Sequence, residues 1–523
     1  MPGSSIKSEE PTLPISESDS PAKEQKPASW WTRTCDKIPG ITYWRRFSDW
    51  QKNKWPGIKI PTLIILIIII LALWWVPPSG LGIHTWQVFV TFLVTIIGAV
   101  TEPLPMSGIC LVSLGFCTVT NILTTSQILS GFGNDTVWLI VFACFIASGF
   151  VTTGLGKRLC FIILKYIGST TLGLAYAFCI CEFILAMAIP SSTARGAGIL
   201  LPILEPLLKE GFQSDPALGT QRRIGSYMIM VEIIANTTSS VCWLTGGAWN
   251  AMMANFMSDV GVHLSWGQWA YSMAPPGILP LIYGPLIMYF FYPPEIKKTP
   301  QARKLADDKL AEMGRIGAFE IVMALVFLMV IILWIVSSSF DTVPYSTTGV
   351  AILGLSVLLM TGIIDVKRDI VANKGAWDLF LWFGVLLMLA TELKETGFFE
   401  WFATLIDLSS VPAYASVWIC TAIFYVSQYL FASITAHVSA MFPVFLQIMQ
   451  RAGVPMQLGA RALAYTTLSG HLTQYTSSTN PPYYNLGYVP MERWWLQGLI
   501  VMIVNLIVLN TVCWGYWWLL GFW

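Results

Sequence analysis

The stretch that decides the fold is PSSTARGAGILLPIL, Pro190 to Leu204. It is apolar after its first residues, yet it carries Ser191, Ser192, Thr193 and Arg195. It joins an apolar run at 170–189 to another at 196–209 with no polar loop between them. The same design recurs where ASITAH joins 411–432 to 438–449. Open backbone at membrane depth is tolerated only where protein or a water-filled cavity supports it. Two half-helices meeting at a Ser/Thr tip therefore predict a re-entrant hairpin at 170–210 and a second at 411–450.

Composition agrees with a membrane setting. Of the 523 residues, 55% are hydrophobic and only 11% charged, where soluble domains carry about 25% charge. Fifteen apolar stretches can be picked out, many near the roughly 20 residues a helix needs to cross a bilayer. Residues 1–60 and 293–315 together hold 27 of the 59 charged side chains. Residues 1–28, rich in acids and prolines, read as a disordered tail. The basic and aromatic 30–57 reads as a membrane-surface or partner-binding segment. The N-terminus lacks the apolar core of a secretory signal. Ten cysteines occur without a CxxC pair, so buried reduced thiols are expected.

Removing the two hairpins leaves about eleven transmembrane helices. A cytoplasmic N-terminus then places Lys157–Arg158, Arg222–Arg223, the 297–315 cluster, Lys367–Arg368 and Arg493 inside, with the C-terminus outside. The halves resemble each other. WLIVFACFIASGFVTTGLGKRLCFII leads from Trp138 toward SSTAR, and WDLFLWFGVLLMLATELKETGFFEWFATLI leads from Trp377 toward SITAH. An odd number of crossings separates these units, which predicts two inverted repeats, the plan of many secondary transporters. The expected organisation is a tail and surface segment over 1–60, a first repeat over 61–292, a linker helix in 293–315 and a second repeat over 316–523.

The tips carry candidate chemistry. A half-helix starting near Ser192 directs unpaired N–H groups and a positive dipole end into the tip. An anion is stabilised there, and hydroxyls can cap the helix or donate to a carboxylate. Arg195 at the bilayer centre costs about 3 kcal/mol or more unless paired or hydrated, so a carboxylate ligand fits it. Its alternatives are snorkelling or an internal partner such as Glu182 or Glu232. His437 holds the matching place after Ser433 and Thr435; a neutral core histidine is the bland alternative. Each hairpin precedes an apolar segment with a polar break. Gly246–Gly247 and Pro481–Pro482 are expected to unwind these helices, exposing carbonyls beside Ser240, Thr245, Asn250, Thr476, Ser477 and Asn480 for cation or substrate.

PSSTARGAGILLPI, YLFASITAHVSAMFPVF and HLTQYTSSTNPPYYNLGYV resemble segments of the divalent anion–sodium symporter family, over about 61–520. They are most similar to its exchanger branch, the bacterial citrate/succinate antiporters and plastid 2-oxoglutarate/malate translocators. The resemblance implies eleven spans, two hairpins, a homodimer and an elevator-type movement. The family's tip motif is Ser-Asn-Thr, whose asparagines help build two sodium sites in the sodium-coupled members. Here Ser191-Ser192-Thr193 and Ser433-Ile434-Thr435 replace both asparagines, which implies exchange without sodium.

The expected substrates are di- or tricarboxylates such as succinate, malate, 2-oxoglutarate or citrate, with the lipid bilayer as setting and no cofactor, metal or nucleic acid. Arg195 and His437 would supply fixed positive charge for a dianion. A sodium- or proton-coupled symporter is the alternative reading. No HExxH, GxSxG or metal-ligand cluster points to an enzyme. A bacterial cytoplasmic membrane is the expected location.

Overall fold

The structure is a computed structural model, and it describes residues 59–339, 346–406, 408 and 410–523. The expected tail and surface segment of residues 1–58 lie outside the described residues. The described chain is helical. Its long helices are α1 (Ile60–Leu73), α2 (Ile83–Thr101), α3 (Met106–Thr120), α4 (Asp135–Thr153), α5 (Leu155–Ile167) and α6 (Thr171–Ala188). A helical limb over 192–211, α7, follows, interrupted by two π turns. Then come α8 (Gly225–Cys242), α9 (Ala248–Asp259), α10 (Trp266–Phe291), α11 (Pro300–Met313), α12 (Ala318–Ser339) and α13 (Thr347–Met360). The remainder are α14 (Lys374–Glu395), α15 (Phe398–Thr404), α16 (Ala413–Ser427), α17 (Ile434–Arg451), α18 (Met456–Tyr465), α19 (Asn480–Tyr484) and α20 (Met491–Val508), which continues helically to Leu519.

Among the described residues, seven helices are long and apolar enough to cross a membrane, and α1, α3 and α13 are shorter apolar helices. The chain is thus a multi-pass membrane protein. Burial separates two kinds of helix. Every residue of α8 is buried, so this helix lies in the core of the described residues. By contrast, α1 exposes Ile64, Ile65, Ile67, Ile68 and Leu71, an apolar face suited to lipid.

The breaks fall close to their expected places. Between α6 and α7 the chain is extended at Ile189 and Ser191. Between α16 and α17 it is extended at Phe431 and Ser433. The helix α8 ends at Cys242, and Trp243 and Gly247 are extended before α9 restarts. Gly246 is required there: a Cβ on it would lie 2.2 Å from the Ser240 carbonyl oxygen.

The second break differs from expectation. Unwinding occupies 466–479, ahead of Pro481–Pro482, and the two prolines begin α19. Proline lacks only an N–H that a first turn leaves unpaired anyway, so it starts a helix more readily than it breaks one there.

The 293–315 segment contains the helix α11. It is tied down from both ends: Lys165 pairs with Asp307 at 2.7 Å, and Arg158 pairs with Glu320 at 2.7 Å while donating to the Gly314 and Met313 carbonyls. Just before it, Thr299 N donates to Ser169 O at 2.9 Å and Thr171 N to Lys297 O at 3.1 Å, which fixes the entry of α6. The nine cysteines among the described residues are free thiols.

Candidate transport site at the two helix breaks

Ser191 caps the start of α7, its Oγ accepting from Ala194 N at 3.2 Å. Ser433 caps α17 in the same way from Ala436 N at 3.4 Å. Four residues after each cap stands the candidate charged side chain, Arg195 or His437. Each is anchored on the residue thirteen positions earlier in the preceding helix: Glu182 for Arg195 and Phe424 for His437, whose ring centroids lie 4.2 Å apart.

Arg195 is fully buried and all its donors are used. Nε donates to Glu182 Oε2 at 2.9 Å. One terminal nitrogen donates to the carbonyls of Ile189 and Gly246, the other to Asn236 O and Ser240 Oγ. Glu182 is equally engaged, accepting from Asn236 Nδ2 at 2.7 Å and Ser239 Oγ at 3.3 Å. This corrects the expectation that Arg195 offers an open positive charge to a carboxylate. Its charge is balanced by Glu182, with both side chains wholly out of solvent. A buried pair is viable only when further hydrogen bonds complete it, and here they do.

His437 is likewise buried. Its Nε2 meets Ser427 Oγ at 2.8 Å, its ring lies between Phe424 and Phe431, and its Nδ1 is without a hydrogen-bond partner. No acid is paired with it among the described residues.

The polar breaks that follow show matched bonding. Asn250 Nδ2 reaches back ten and seven residues, to Ser240 O at 2.6 Å and Trp243 O at 2.8 Å. Asn480 Nδ2 does the same, to Gly470 O at 2.6 Å and Thr473 O at 2.7 Å. Nine residues before each asparagine, a carbonyl accepts from an indole: Val241 from Trp269 at 3.0 Å, and His471 from Trp494 at 3.1 Å. These side chains therefore staple the unwound backbone.

The other expected residues divide by burial. Thr245 donates to Met187 O and accepts from Trp266 Nε1. Thr476 donates to Gly470 O, and Ser477 accepts from Thr479 N. Ser192 accepts from Thr479 Oγ1 at 3.2 Å. All of these are buried, and Thr435 is buried behind the second cap. Ser191, Thr193 and Ser433 are half-buried and keep an open side. Thr193 Oγ1 meets Ser478 Oγ at 2.7 Å, and Ser478 is exposed. Ser478 and Thr479 were not singled out from the sequence, although they lie within the run Thr476–Asn480; what marks them is contact with the first tip.

A cavity of about 260 Å³ opens at that tip. Ser191 and Ala194 line one side, Ser148 on α4 and Asn373 beside α14 the other. A larger one of 460 Å³, lined by Asp135, His263 and Gln268 among others, lies away from both tips. No group of three or more His, Cys, Asp or Glu side chains suited to a metal occurs among the described residues. The oxygens gathered around Arg195, from Glu182, Ile189, Asn236, Ser240 and Gly246, are taken up by its guanidinium.

Comparison with known proteins gives the family of the chain. A family model described as "Sodium:sulfate symporter transmembrane region" matches residues 58–523. The putative malate transporter YflS of Bacillus subtilis is 41% identical over 91% of this chain and 100% of its own length. The chloroplastic dicarboxylate transporter 1 of Spinacia oleracea is 36% identical over 90% of this chain and 84% of its own. The L-tartrate/succinate antiporter of Escherichia coli is 33% identical over 87% of this chain and 96% of its own. The chain belongs to the divalent anion:sodium symporter family and is a transporter rather than an enzyme.

Proposed function

We propose that the chain exchanges one small dicarboxylate for another across a bacterial cytoplasmic membrane without sodium. The carrying observation is the setting of Arg195. Its guanidinium takes three backbone carbonyls, a serine hydroxyl and a carboxylate, an all-oxygen set of the kind a hard cation prefers. A protein-borne cation thus stands where a sodium ion would bind, permanently and without a gradient to draw on. The imidazole of His437 fills the equivalent position at the second tip.

The names of the relatives supply the substrate class. In this reading the open hydroxyls of Ser191, Thr193, Ser433 and Ser478, with the N–H groups at the starts of α7 and α17, receive the carboxylates. Asn250, Asn480, Thr245, Thr476, Ser477 and Ser192 hold the frame. The recurring ten-and-seven bonds of Asn250 and Asn480 support two repeats, which we take as inverted. Counting α8–α9 and α18–α19 as one interrupted crossing each, taking α6–α7 and α16–α17 as re-entrant hairpins and leaving out α5, α11 and α15 as non-crossing helices gives eleven. An elevator-type movement in a homodimer, with the N-terminus cytoplasmic and the C-terminus outside, completes the proposal.

A cation-coupled symporter is the second reading. It is favoured by the family's own description and by Asn250 Oδ1, a buried acceptor without a partner. Proteoliposomes distinguish the two. Exchange predicts uptake of labelled succinate or malate only into vesicles loaded with dicarboxylate; equal uptake into empty vesicles under an inward sodium gradient would overturn it.

A further inference from the structure

A second buried acid lies beside the Arg195–Glu182 pair. Glu232 sits midway along α8 with no solvent exposure. One turn further along α8, Asn236 Nδ2 donates to Glu182 Oε1 on α6 at 2.7 Å, so the two acids sit on adjoining helices at the same level. Glu232 Oε1 lies 3.4 Å from Tyr483 Oη on α19, and its Oε2 has no donor among the described residues.

The donors around this carboxyl do not suffice for a carboxylate. Tyr483 has one hydroxyl hydrogen, and it is already directed at the Gly196 carbonyl at 2.8 Å. A carbonyl can only accept, so that hydrogen is committed. Glu182 is acceptor-only as well, since Arg195, Asn236 and Ser239 all donate to it. The other titratable groups facing Glu232 are the thiols of Cys179 and Cys181 on α6 and Cys160 on α5. The helix α10, packed along α8, brings only the phenols of Tyr271, Tyr283 and Tyr289. The one nearby cation, Arg195, has spent every N–H. An ionised Glu232 would be an unpaired charge in the interior, which folded proteins avoid by taking up a proton.

We infer that Glu232 holds a proton in the folded protein, so that its carboxyl stays uncharged beside the Glu182–Arg195 pair. The Glu232 carboxyl is then neutral, and no unpaired charge is left in the cluster. The cluster of Glu182, Arg195 and Glu232 is neutral as a whole, so an anion at the first tip meets no net negative charge behind it. The inference is independent of whether transport is exchange or symport.

Infrared spectroscopy of the purified full-length protein in lipid tests it without transport. The wild type is expected to show a protonated carboxylic C=O band that shifts on transfer to D2O and disappears in Glu232→Gln. Glutamine keeps the size and an N–H donor. Absence of the band from the wild type, or its survival in Glu232→Gln, would overturn the inference. Should Glu232→Gln not assemble, Glu232→Asp serves: the acid is kept but moved by one methylene, and the same band should shift. An unchanged band would overturn the inference equally.

Discussion

Replacing Glu182 by Gln probes the buried pair on which the first tip depends. The substitution keeps the side-chain volume and removes one charge. Arg195 then stays buried without a countercharge, because its other partners are the Ile189, Gly246 and Asn236 carbonyls and Ser240 Oγ. The new amide also points donors toward Asn236 Nδ2 or Ser239 Oγ, which now donate to Glu182. Removing one partner of a fully desolvated pair costs about 3–5 kcal/mol. Solvent screening gives no relief, since both side chains are wholly buried. The assay is denaturant unfolding in detergent for wild type, Glu182→Gln, Arg195→Met and the double variant. The singles should each fall well below the wild type, and the double should recover much of the loss. Removing both charges together leaves no uncompensated ion in the interior. Single losses that simply add in the double variant would refute the coupling of these two residues.

Other perturbations test neighbouring parts of the account. Arg195→Ala leaves its oxygen partners open beside the Glu182 carboxylate, so residual exchange should become stimulated by sodium; vesicle uptake with sodium or choline buffer reads this. Asn250→Ala and Asn480→Ala each remove two bonds to unwound carbonyls. At about 1 kcal/mol net per bond, exchange or thermal stability should fall comparably in both, and an effect confined to one would argue against equivalent breaks. Gly246→Ala places a Cβ 2.2 Å from Ser240 O, so poor yield of folded protein is expected in size-exclusion chromatography, whereas Gly198→Ala, with open space, should behave as the wild type.

Much of this architecture could be read from hydropathy and punctuation. The apolar runs flanking Pro190–Arg195 and Ala432–His437 located both tips because an uninterrupted apolar stretch with Ser, Thr and a basic residue in its middle has few other solutions. Gly246–Gly247 marked a break for the same reason. The proline pair misled by position: its chemistry suits a helix start, so the unwound residues lie upstream. The partner of Arg195 was not decidable from sequence, since Glu182 and Glu232 are both buried acids on adjoining helices. Only the three-dimensional register gives Glu182 the guanidinium and leaves Glu232 facing Tyr483. Ser478 and Thr479 escaped notice because their role comes from a contact with Ser192 and Thr193, nearly three hundred residues away.

The central claim is that the built-in cation at the first tip removes the need for sodium. Its most direct measurement is the initial rate of succinate or malate uptake into dicarboxylate-loaded proteoliposomes across a series of sodium concentrations at constant ionic strength. The account predicts a rate that is the same with sodium absent as with sodium in excess. A rate that vanishes without sodium and rises to saturation with it would contradict the account.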